Sequence, residues 1–357
     1  MINLVVAFLF AMQTAPMTQE EPARSPQIVC DASMIGMAYG SGHGIYFRAS
    51  HDLGATFEAP VKVAEAEVVP LGRHRGPRIA LSGGGLVVSA VVGKTSSTDP
   101  HGHGLPIDGD LVAWRSGDGG KTWSSGVVVN DVPGAAREGL HSLAADSKGR
   151  LFAVWLDKRG ADGTRLFGAA STDGGISWAA SIPVYSSPDG TICQCCHPSV
   201  AIAPDGSILV MWRNCLQGAR DMYLARSKDW KTFANVEKLG KESWQLNACP
   251  MDGGGLAVSR IGRVLTAWRR EGRIYLAAPG EAETPVGEGR DATLAIGTKG
   301  AFVVWVGSTG IEVQAPDSIK PISLSAHGAY PAIAALADGS IFIAWEEDDT
   351  IRTRHIS

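Results

Sequence analysis

Sulfur and imidazole are the most concentrated reactive groups in this chain. Cys193, Cys195 and Cys196 precede His197 in the run CQCCHPS, and Cys249 and Met251 follow in ACPMDGG. Thiolate, thioether and imidazole brought together suit zinc or copper, with the methionine favouring monovalent copper. In an oxidising compartment the same thiols close as disulfides, and Cys215 is then a bridging partner for Cys195 or Cys196. Cys-x-Cys-Cys is not a zinc-ribbon spacing, and no dedicated base marks any of these thiols as a nucleophile. A second group is charged or phenolic: Arg75, Arg78, Arg137, Glu138, Arg269, Arg290 and Tyr330. Guanidinium forks hold carboxylates in bidentate fashion, although any single arginine is more often a solvated rim charge.

What could position such scattered groups is a repeat. HSLAADSKGRLFAVW, HPSVAIAPDGSILVMW, GGLAVSRIGRVLTAW, DATLAIGTKGAFVVW and YPAIAALADGSIFIAW end at Trp155, Trp212, Trp268, Trp305 and Trp345. In four of the five a turn glycine lies six residues before the tryptophan, the pattern of a β-hairpin. GPRIALSGGGLVVSAVV is a sixth copy without the tryptophan. A second signature, S-x-D-x-G-x-T-W, follows in phase: Ser50–Phe57, Ser116–Trp123, Ser171–Trp178 and, degraded, Ser227–Phe233. Its aspartate can accept from backbone amides of its own turn, and its glycine takes the positive φ. Four-stranded units repeated in this way predict an all-β fold, a β-propeller forming one domain. Strand count favours seven blades over six, with the residues before Cys30 supplying the fourth strand of the last unit.

The remaining features bound the function. The apolar run Ile2–Met12 is too short to cross a bilayer and reads as an export signal over 1–15, followed by a linker or closing strand over 16–29 and the propeller over 30–357. The expected location is periplasmic or secreted, and the expected state a monomer. With 32 basic and 36 acidic residues, net charge −4, the chain lacks the electrostatic footprint of a nucleic-acid binder. Antiparallel blades put the start of each first strand and the end of each second strand on one face of the disc, so both reactive groups are expected around one mouth of the central channel.

In its two repeats, and in CQCCHPS, ACPMDGG and WRREG, the chain from about Cys30 onward resembles the Asp-box (BNR-repeat) sialidase superfamily, and within it bacterial secreted sialidase-like chains. Members with activity are six-bladed retaining exo-sialidases. The resemblance implies Tyr330 as nucleophile, Asp108 as acid/base with Asp99 as its alternate, and Arg75 and Arg269 as carboxylate-binding residues; Arg78 and Arg290, at the starts of their strands, complete the candidate set. A phenol near its ordinary pKa of about 10 needs a base. The family's glutamate falls at Asp252–Gly253 here, which leaves Glu138 as the candidate partner. That departure favours the other reading, a non-hydrolytic propeller that binds a glycan, a peptide or a metal at Cys193, Cys195, Cys196, His197, Cys249 and Met251. No organic cofactor is expected.

Overall fold

The computed structural model describes residues 21–98, 104–160 and 163–357; the predicted export signal and Asp99 lie outside them. Among the described residues there is no helix, and none therefore long and apolar enough to cross a membrane. The strands form seven antiparallel sheets in chain order, six of four strands and a last one of three. These are seven propeller blades, spanning 23–65, 78–128, 141–185, 199–238, 255–288, 290–323 and 329–356.

The sequence pattern explains why the sheets stand as blades. Second strands such as Leu151–Asp157 and Ile208–Arg213 are buried at every position, because both faces of the sheet meet a neighbouring blade. They therefore read as continuous apolar runs rather than as alternation. The outermost strand Ala234–Lys238 is exposed along most of its length. Trp155, Trp212 and Trp305 are fully buried between blades, where indole rings fill the widening gap away from the axis. Each apolar cluster joins two consecutive blades, and one joins the last to the first: Ile28, Met37 and Tyr39 pack against Ala332, Phe342 and Ile351.

Closure departs from the sequence expectation. Ala23–Cys30 is the inner strand of the first blade, paired antiparallel with Ile35–Ser41, and does not complete the last. Among the described residues the last blade has three strands, and no shared sheet fastens the ring. Side chains and backbone do so instead. The Ala23 N–H donates to Asp349 O at 3.1 Å, the buried Ser25 N–H to Glu346 Oε1 at 2.5 Å, and Arg24 to both Glu346 and Asp349.

The S-x-D-x-G-x-T-W turns are built alike. Asp52 accepts from Ser50 Oγ (2.8 Å), Thr56 N (2.9 Å) and Thr56 Oγ1 (2.6 Å); Asp118 and Asp229 repeat this with their own Ser and Thr, and Asp173 with Ser171 and Ser177. Gly54, at φ +87°, lets the turn close on Phe342 of the last blade, as Gly120 does on Phe47 of the first.

Three inner strands carry a bulge whose extra residue is left-handed: Ser25 (φ 55°), Asp291 (φ 58°) and Tyr330 (φ 49°). A bulge re-aims the side chain it carries. All three line the axial cavity.

Candidate functional site

The seven inner strands enclose an axial cavity of about 180 Å³, walled along its length by Ile28, Ile79, Leu143, Val200, Leu256 and Ile333. Among the polar residues that line it are His74, Arg75, Arg78, His197, Asp291 and Tyr330. A wider mouth of about 540 Å³ shares Arg75 and Tyr330 with the cavity and adds Arg24, Arg73 and Glu346.

The centre of the site is an imidazole held on a carboxylate. His74 Nε2 lies 2.7 Å from Asp291 Oδ1, and the His74 ring stacks on His197 at 4.1 Å and meets the Tyr330 ring edge-on at 5.7 Å. A carboxylate can only accept, so it is Nε2 that donates in this contact. Burial pushes Asp291 up, but His74, Arg290 and Arg269 outweigh it and hold the carboxyl below its ordinary value. His197 is driven well below the ordinary imidazole range by burial, reinforced by His74 and Arg78, so it is neutral at neutral pH. His74 and Asp291 were missed from sequence. Both sit where the chain takes a positive φ, His74 in the loop before the second blade at 65°.

The predicted arginines divide. Arg75, buried in the same cavity, spends Nε on Glu138 O at 2.8 Å; burial pulls its pKa down, while Glu138 and Tyr330 act to raise it. Arg78 donates to the carbonyls of Pro77 and His74 and fixes the loop that presents His74; burial lowers it to about 10. Arg269 lies 3.5 Å from Asp252 Oδ2 and donates to Pro250 O, and Arg290 is half exposed against Asp291. Neither Arg269 nor Arg290 lines the axial cavity or its mouth. Glu138 lies 3.4 Å from Lys158, and Asp108 lines a separate cleft with Glu65, Glu67 and Lys94. Burial would raise Asp108, yet bonds from Thr95 N and Lys94 N keep it low.

Behind the imidazoles, buried Asp252 accepts from Asp291 N at 2.9 Å through Oδ2, while its Oδ1 has no hydrogen-bond partner. Arg213, 1 % exposed, donates to the carbonyls of Asp252, Arg220 and Arg269 and so ties two loops to the strand Val264–Arg270.

The cysteines gather on the adjoining loops. Cys195 is disulfide-bonded to Cys249 across two blades, and Cys30, Cys193, Cys196 and Cys215 are free thiols. The expected bridge from Cys215 is thus replaced, because Cys195 faces the loop of the following blade, with the two Cα atoms 6.5 Å apart. The sulfurs of Cys193, Cys195 and Cys196 lie within 4.8 Å of one another. A hydrogen bond with Cys196 brings the Cys193 thiol down to about 7 against the effect of burial, with help from Arg213; burial pushes Cys196 up. Met251 turns its sulfur to Arg73 and His197 its ring to His74, so neither joins the thiols.

No protein-family model matches the chain, and no curated protein matches it. Solved structures do. An α-L-arabinanase of Penicillium chrysogenum complexed with arabinobiose aligns over 96 % of both chains at 13 % identity and a TM-score of 0.57. An ulvan lyase bound to a GlcA–Rha3S saccharide covers 97 % of this chain and 96 % of its own at 11 % identity and 0.59. A catalytically inactive histidine-to-alanine variant of virginiamycin B lyase from Staphylococcus aureus, with quinupristin, covers 96 % and 97 % at 10 % identity and 0.58. At such identities the likeness is one of fold, and the chemistry has to be read from the site.

Proposed function

We propose that this protein cleaves an acidic polysaccharide at the channel mouth by β-elimination, abstracting the proton α to a uronate carboxyl. The observation that carries the reading is the convergence of His74, Tyr330 and Arg75 on one cavity, with His74 held by Asp291. Arg75 faces the carboxylate and offsets the charge that develops on it as the proton leaves. His74 Nδ1 takes that proton, the Tyr330 phenol delivers its own to the departing glycosidic oxygen, and the electron pair of the C–H bond becomes the new C=C bond as C–O breaks. The left-handed backbone at Tyr330 and Asp291 is local strain of the kind that collects at reacting centres. Two of the similar propellers are lyases by name, which fits this chemistry.

A retaining exo-sialidase with Tyr330 as nucleophile is the second reading, favoured by Tyr330 and Arg75 sharing the mouth. It lacks a clamp, since Arg78 is committed to backbone carbonyls and Arg269 to Asp252 and Pro250. Its acid, Asp108, stands in another cleft.

The test is a panel of uronate polysaccharides assayed for the ultraviolet absorbance of an unsaturated uronate, beside a fluorogenic sialoside. The expected result is unsaturated product, with turnover reduced about 10²–10⁴-fold in Tyr330→Phe and His74→Ala, the size of a general acid–base contribution. Sialoside turnover abolished by Tyr330→Phe selects the second reading. Saccharide binding without turnover of any substrate overturns both and leaves a binding propeller.

A further inference from the structure

The four-cysteine cluster has no part in that chemistry, yet it is built with unusual economy. Cys193, Cys195 and Cys196 come from one loop and Cys249 from the equivalent loop of the next blade. Cys193 and Cys196 are buried, and the sulfur of Cys193 lies 3.8 Å from that of Cys195, which is bonded to Cys249. Three sulfurs already lie within 4.8 Å of one another, and the fourth is carried by a residue bonded to one of them. Buried thiols in an apolar setting are ordinarily inert and neutral. These instead adjoin Arg213, which is itself buried, bonded only to backbone carbonyls, and without a carboxylate partner of its own. A buried cation without a counter-anion is costly. Thiolates beside it would supply one, and a group of thiolates is stable in such a place when a cation joins them.

We propose that, once its disulfide is reduced, this cluster is a binding site for one thiophilic d¹⁰ cation, monovalent copper or zinc, held by Cys193, Cys195, Cys196 and Cys249. Reduction by a dithiol breaks the Cys195–Cys249 bond with two electrons and two protons, and the dithiol leaves as its own disulfide. The incoming cation then displaces the thiol protons to solvent. The sulfur-only ligand set matches the softness of these ions, and the four-fold count matches the tetrahedral preference of zinc. The net negative charge of the loaded cluster falls beside Arg213. The site is separate from the polysaccharide reading, and either can fail alone.

The test uses the full chain carrying Cys30→Ser and Cys215→Ser, so that only these four cysteines remain. After reduction and removal of the dithiol, it is titrated with cobalt(II) as a spectroscopic stand-in for zinc, then with zinc, and separately with copper(I) against a chromogenic competitor. The expected result is one ion per chain, an intense thiolate-to-cobalt charge-transfer band displaced by zinc, and at least about tenfold weaker binding in Cys193→Ser or Cys196→Ser. The oxidised chain should bind at least tenfold more weakly than the reduced one. Far- and near-ultraviolet circular dichroism is recorded throughout. Absence of the band, binding unchanged by either substitution, or a fold lost on reduction that zinc does not restore would each overturn the proposal.

Discussion

Glu346 is where the ring can be opened with a single substitution. Its carboxyl is buried, accepts the Ser25 N–H at 2.5 Å through Oε1, and lies 3.2 Å from Arg24 through Oε2. Glu346→Ala leaves a buried N–H without an acceptor, which costs about 1–3 kcal/mol. The Arg24 side chain is 39 % exposed, so loss of the ion pair adds only about 0–1 kcal/mol. The alanine variant should therefore lose about 2–3 kcal/mol, about 3–4 °C in Tm at an unfolding entropy of about 2.1 cal/mol/K per residue. Glu346→Gln keeps an acceptor for Ser25 and sheds a charge that burial disfavours, so it should stay within about 1 kcal/mol of the parent. The pH dependence follows from the same cause. Burial raises the Glu346 carboxyl, so the folded chain holds that proton more tightly than the unfolded one. The parent's stability relative to the glutamine variant should then decline as pH rises from the ordinary carboxylate value through the raised one. Thermal and urea melts of the three proteins, followed by tryptophan fluorescence between pH 4 and 8, measure both effects. Equal losses for alanine and glutamine would refute the reasoning, since they would mean that charge, not the backbone acceptor, fastens the ring.

Two further outcomes test the packing around it. Gly54→Ala would set a Cβ 2.1 Å from Phe342 Cε2 at φ +87°, and should cost about 2–4 kcal/mol from left-handed strain plus overpacking, whereas Gly190→Ala, at φ +82° with nothing within 4 Å, should show only the strain; similar melts for the two would remove Phe342 as the cause. The Asp52 carboxyl is lowered to about 2 by its bonds from Thr56, so its contribution is present above the unfolded value of about 4 and is lost as pH falls toward 2. Acid titration of Asp52→Asn should accordingly show a shallower loss of stability across that window than the parent, and identical slopes would sink the assignment.

The fold was legible because its information is periodic. The hairpins and the S-x-D-x-G-x-T-W turns each recur in step, and a blade buried on both faces writes its second strand as an apolar run ending in tryptophan. Counting back from the turn glycine also reaches Arg75 and Tyr330, and Arg78 follows from its place at the start of a first strand; all three line one cavity. Arg290 is singled out only because it opens the right strand, whereas the next residue, Asp291, is the one that holds His74, and it sits in a bulge between Arg290 and Thr293. An extra residue in a strand leaves the hydrophobic pattern nearly intact while turning one side chain out of register, so periodicity is blind to it at the positions that matter for chemistry. A trace did exist in two of the three bulges. Pro26 follows Ser25 and Pro331 follows Tyr330 inside inner strands, and proline within a strand belongs to edges and bulges. The blade around Asp291 carries no such mark, and His74 lies in a loop with no period at all. Closure was misread for a related reason: a three-stranded last blade implies a missing strand only if every blade must be complete. Here the buried carboxylate of Glu346 and the apolar contact of Phe342 with the first blade do the fastening that a shared sheet would otherwise do.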